Sequence, residues 1–84
     1  MDPIMEGYAR FRLGLAHLLC EEYADAEEHL TRSLELLTLE SDKDWEDIVA
    51  INKGLAQVHT ALGREKEANE RLDRIKTIEE TIAA

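Results

Sequence analysis

Residues 13–32 read LGLAHLLCEEYADAEEHLTR, and residues 55–74 read LAQVHTALGREKEANERLDR. Laid over each other, they share Leu13/Leu55, a small residue at Gly14/Ala56, His17/His59, Ala26/Ala68, Glu28/Glu70, Leu30/Leu72 and Arg32/Arg74, all offset by 42 positions (56 minus 14). An internal repeat outranks other sequence signals, because each unit is a supersecondary piece that buries its apolar face only against a neighbour. Stacked repeats also build surfaces that hold other proteins, so the echo bears on role as well as architecture.

Reading outward from the echo, four helices emerge. Asp2-Pro3 sets a capping side chain before a proline suited to the first helical position, and apolar residues follow at helical spacing to Cys20, which predicts a helix over about 3–20. Glu21-Glu22-Tyr23 makes a short turn, and Ala26, Leu30, Ser33/Leu34 and Leu37 mark a second helix to about Leu39. Glu40 to Asp44 is polar and connective, with Ser41, Asp42 or Asp44 available to cap a helix that opens at Trp45. Ile48, Ile51, Leu55, Val58 and Leu62 step by 3, 4, 3, 4 along that third helix, and Gly63 ends it in a left-handed conformation. Ala68, Leu72, Ile75, Ile78 and Ile82 give a fourth helix a narrow apolar stripe, as expected of an end cap. The expected fold is all-α: one domain over 1–84, with repeat one at about 3–40 and repeat two at about 44–82.

Composition narrows the functional classes. One proline, four glycines, 44% apolar and 35% charged residues favour long helices over disorder. Nineteen acidic against ten basic residues give a net charge of -9, which repels phosphate backbones and anionic headgroups, so neither nucleic acid nor a membrane surface is an expected partner. Charged residues interrupt Met1 to Leu19, which excludes the apolar core of a leader or membrane span there. The single cysteine, Cys20, makes no internal disulfide, and the cytoplasm is the expected location.

Helix, tight turn, helix, with Leu-Gly/Ala at Leu13-Gly14 and Leu55-Ala56 and Ala-x3-Leu at Ala26–Leu30 and Ala68–Leu72, resembles the tetratricopeptide repeat over nearly the whole chain. The resemblance implies two antiparallel hairpins stacked as a short right-handed solenoid, and a protein-interaction role as scaffold or adaptor. Its offset exceeds the common period of about 34 residues by eight, which is similar to the lengthened repeats of the kinesin light chain. Arg10 and Asn52 stand where the family often has tryptophan, His17 and His59 where it has tyrosine, and no proline closes either repeat. Phe11 and Leu15 replace the family's carboxylate clamp, and Arg12 and Gly54 replace the asparagine of the light-chain groove, so neither peptide-binding mode carries over.

Helix one carries two stripes. Ala9, Leu13, Ala16 and Cys20 make a small-residue face expected to pair with helix two, which would bury Cys20 as an inert thiol. Ile4, Tyr8, Phe11, Leu15 and Leu18 make the second, spaced 4, 3, 4, 3, and the resemblance places Tyr8, Phe11, Leu15 and Leu18 on the concave, ligand-facing side. Their counterparts Ala50, Lys53, Gln57 and Thr60 are far less apolar. The stripe is the candidate partner-binding surface, for an apolar helix or peptide whose basic flanks suit the acidic rim. Packing against repeat two, self-association as a homodimer and stacking on further repeats are its other readings. His17 and His59 could approach each other, yet two imidazoles without a third ligand point to packing and not to metal; His29 reads as a surface residue. No phosphate loop, carboxylate pair or nucleophile–base set is present, so neither enzyme activity nor a cofactor is expected.

Overall fold

The computed structural model describes residues 2–40 and 42–83, which form four α-helices: α1 Pro3–Leu19, α2 Tyr23–Thr38, α3 Trp45–Ala61 and α4 Glu65–Ala83. Local chemistry sets their ends where the sequence predicts. Asp2 Oδ1 accepts from the Ile4 amide at 2.8 Å with Pro3 in the first turn, and Asp44 Oδ1 accepts from Glu46 and Asp47 at 3.1 and 3.3 Å. Asp44 and not Asp42 is therefore the cap of α3, while Ser41, the third candidate, lies outside the described residues.

Both hairpin turns share one geometry. The amide of Glu22 donates to the His17 carbonyl and that of Glu21 to Leu18, just as Arg64 donates to His59 and Gly63 to Thr60. These crossed bonds are the Schellman arrangement, which needs a left-handed residue after the helix. Gly63 supplies it at φ 77°, and Glu21, 42 positions earlier, adopts φ 60° against the steric preference of an L-residue.

Each hairpin packs internally, α1 on α2 and α3 on α4, and the hairpins join mainly through α2 and α3. The central cluster is Ala26, Leu30, Leu37, Ile51, Leu55 and Val58, with Ile4, Phe11, Leu18, Tyr23 and Leu34 packed around it. Leu30 sits at its centre, fully buried. A Cβ on Gly14 of α1 would stand 2.5 Å from Leu30 Cγ, and one on Gly54 of α3 would stand 3.1 Å from Leu30 Cδ1. One side chain thus fills the space between three helices, which come close because two positions carry no side chain.

The pairing face of α1 differs from the sequence expectation. Gly7 and Gly14, two turns apart, meet α2, and a Cβ on Gly7 would lie 2.8 Å from Leu37 Cδ2. Ala9, Leu13, Ala16 and Cys20 point outward and are exposed; Cys20 is a free, exposed thiol and not a buried one. The smallest available residues took the close contact, and they lie on the opposite side of the helix from the alanines. Leu72 also departs from its echo. Leu30 is 0% exposed and Leu72 is 52% exposed, because no third hairpin's worth of structure covers α4 among the described residues.

Candidate functional site

The five stripe residues do not share one environment. Ile4, Phe11 and Leu18 are half-buried against the central cluster. Leu15 is half-buried at the edge of an open cleft, which it lines with Leu18, Leu19, Glu21, Tyr23, Gln57 and Ala61. Tyr8 is exposed. The ridge between α1 and α3 is thus built from the tips of Tyr8 and Leu15 on a floor of Phe11 and Leu18.

Acidic groups gather at Tyr8. The Asp47 carboxylate, an acceptor that favours the neutral hydroxyl, then burial, then the charges of Asp47, Asp44 and Glu40, push its pKa above the ordinary 10.0. These carboxylates come from the α2–α3 connection and the first turn of α3, and Glu21 lines the cleft at the far end of α1. The Asp47 contact joins positions 39 residues apart (47 minus 8) and has no sequence signal. It also makes a test. The Tyr8 ring is expected to titrate above pH 10.0 in the folded chain, followed by its NMR ring signals, and to move back toward 10.0 in Asp47→Asn. Because the raised value favours the neutral phenol, its contribution to stability is complete below the unfolded-state pKa. That contribution is lost as pH rises through the folded-state value.

The histidines lie in two separate clusters, which sequence reasoning did not foresee. His17 stacks on His29 with ring centroids 5.2 Å apart, its Nδ1 3.2 Å from Glu22 Oε1, and Arg10 reaches His29 Nδ1 at 3.3 Å. His29 is therefore half-buried in a polar seam of the first hairpin and not a free surface residue. Asn52 and Arg71, the counterparts of Arg10 and His29, pair in the same way at 3.1 Å, so the unusual residues at the family's tryptophan position lock each hairpin through a polar contact.

His59, only 8% exposed, bridges the hairpins. Its Nε2 lies 2.9 Å from Glu27 Oε2 of α2 and 3.6 Å from Glu67 Oε2 of α4, while Arg64 donates to both Glu27 oxygens at 2.9 and 2.7 Å. Ligand atoms of Glu27, His59 and Glu67, and likewise of His17, Glu22 and Asp25, lie within 4.8 Å of one another. One imidazole and two carboxylates could hold a cation, but at the first group the Arg64 guanidinium already neutralises Glu27. That group is an inter-hairpin ion pair network, and His59 Nδ1 is buried with no partner among the described residues.

No helix of the described residues is long and apolar enough to cross a membrane. No curated protein and no solved structure matches the chain. A family model for the tetratricopeptide repeat matches residues 7–78, spanning both hairpins and the turns with their paired Schellman geometry. With four helices stacked as two hairpins and that match over most of its length, the chain belongs to the tetratricopeptide repeat family.

Proposed function

We propose that this chain is a protein-interaction module that holds an apolar helix or peptide along the ridge between α1 and α3. Tyr8 and Leu15 make its outward contacts, Phe11 and Leu18 form the floor, and Ile4 extends it toward the start of α1. Tetratricopeptide repeats generally mediate contacts between proteins, which sets the class of the role. The observation that carries the finer reading is the exposure of Tyr8 two turns along α1 from Leu15, with Leu15 at the open cleft where α3 presents Gln57 and Ala61 and no bulky apolar side chain. Glu40, Asp44 and Asp47 at one end and Glu21 at the other favour a ligand with basic flanks, by charge complementarity at the rim.

The test uses helical peptides of about 20 residues selected from a displayed library on the full chain, with isotope-labelled protein to locate them. Chemical-shift changes are expected at Tyr8, Leu15 and Leu18. Leu15→Glu is expected to weaken binding by at least ~10-fold, and Tyr8→Ala, at an exposed position, by several-fold with the fold intact. Shift changes confined to other faces would refute this reading. Self-association through the same stripe is the competing role, and a dimer mass by light scattering that Leu15→Glu reduces to a folded monomer would establish that instead.

A further inference from the structure

The junction between the hairpins is an internal template for the outer face of α1, and it points to a second docking surface distinct from the ridge. α3 rests on the first hairpin through Ile51, Leu55 and Val58, all buried in the shared cluster, and through Gly54, which faces Leu30. Forty-two positions earlier the same places on α1 are Ala9, Leu13, Ala16 and Arg12, and all four are exposed. Met5 and Leu19 add exposed apolar surface beside them, so α1 carries a second, exposed apolar sector on the side away from Gly7 and Gly14, interrupted by Arg12. A helix with apolar sectors on two opposite sides belongs between two neighbours, and α1 has neighbours on one side only.

The ionic part of the junction has a counterpart too, with its sign reversed. His59, Arg64 and Glu67 of the second hairpin receive the carboxylate of Glu27 from α2. The equivalent positions of the first hairpin are His17, Glu22 and Asp25, gathered in the same way, with a carboxylate where Arg64 has its cation. Among the described residues Glu22 pairs only with His17, and Asp25 has no ion pair. This corner attracts a cation at the place where Glu27 delivers an anion. Arg12, at the Gly54 position, correspondingly replaces a tight apolar contact with a positive charge.

We propose that the outer face of α1 docks a partner helix that lies on it as α2 lies on α3. That helix runs antiparallel to α1. It carries Lys or Arg at the place of Glu27, facing Glu22 and Asp25. Three residues further on, at the place of Leu30, it carries Asp or Glu facing Arg12, with bulky apolar side chains over Ala9 and Ala16. A second copy does not meet these demands. On α4 the positions matching Glu27, Leu30, Leu34 and Leu37 are Asn69, Leu72, Lys76 and Glu79, a mostly polar set that gives no head-to-tail stack. An α1-to-α1 pairing about a two-fold axis at mid-helix brings Arg12 toward its own copy and leaves Glu22 and Asp25 without a cation.

The test titrates two helix-locked stapled peptides of residues 23–39 into the isotope-labelled full chain. One bears Glu27→Lys and Leu30→Glu; the other keeps Glu27 and bears Leu30→Glu alone. The lysine peptide is expected to shift the amides of Ala9, Leu13, Ala16, Glu22 and Asp25 and to bind at least ~10-fold more tightly than the other. Glu22→Arg, which copies Arg64 into the first hairpin at an exposed site, is expected to invert that preference, with circular dichroism confirming the fold. Shifts at Tyr8 and Leu15 in place of the outer face, equal binding of both peptides, no binding, or a dimer of the free chain that buries α1 would each overturn the proposal. None of these results bears on the ridge itself, except that shifts at Tyr8 and Leu15 would support it.

Discussion

Leu30→Ala is expected to cost about 2–5 kcal/mol, the range for deleting a fully buried leucine where surrounding helices cannot collapse onto the gap. Leu30 has no exposed surface, and it packs where α1 and α3 each present a glycine, so the cavity would open between three helices at once. A chain of 84 residues holds roughly 4–13 kcal/mol in total, so the loss takes a large share and brings the variant near its unfolding midpoint at room temperature. Leu72→Ala, at the echoed position, is expected to cost under ~1 kcal/mol because that side chain is half in water already. Urea denaturation followed by helix signal measures both. Similar midpoints for the two variants would show that the echo, and not the environment, sets their weight.

Gly14→Ala is expected to destabilise by about 1–3 kcal/mol even though alanine is the better helix former by ~1 kcal/mol. The new methyl would stand 2.5 Å from Leu30 Cγ and 2.6 Å from Cδ2, with the Leu30 backbone nitrogen at 3.2 Å. Overpacking against the Leu30 side chain, which is enclosed on all sides, outweighs propensity here, since α2 can only move away from α1. In a Leu30→Ala background the two closest atoms are gone, and the same substitution is expected to be nearly neutral. The double-mutant cycle should therefore show a coupling of about 1–3 kcal/mol. Additive effects would mean that Gly14 matters for helix flexibility and not for the contact.

Helix limits were legible because their signals are local: Asp2 before Pro3, Asp44 before Trp45, and Gly63 past the last turn each satisfy or release backbone groups within a few residues. The repeat also revealed the stacking, since matched small and large positions in two units imply matched packing. The rotational setting of α1 was not legible. Two sectors of that helix carry small residues, and the choice between Gly7–Gly14 and Ala9–Ala16 depends on where Leu30 and Leu37 arrive from α2, which is information held by another helix. Glu21 in a left-handed conformation is invisible by composition, and shows only through its alignment with Gly63. For the candidate site, the sequence supplied the stripe as five equivalent residues. Packing against α3 then separated it into Ile4, Phe11 and Leu18 on the core, Leu15 at a cleft edge and Tyr8 in the open. The acidic neighbours of Tyr8 come from 32 to 39 residues away (40 minus 8 and 47 minus 8), beyond any local pattern.

The place of Leu30 carries a consequence for how this chain melts. In long helical arrays, stability is close to a sum of unit terms and neighbour terms, and individual units fray independently at the ends. Here the side chain that fills the interior of the first hairpin is also the surface on which the second one rests. Without the second hairpin, Leu30 and the rest of the shared cluster lose the cover of α3. Thermal unfolding is therefore expected to be all-or-none across both repeats, with the slowest-exchanging amides along the middle of α2 and α3 together.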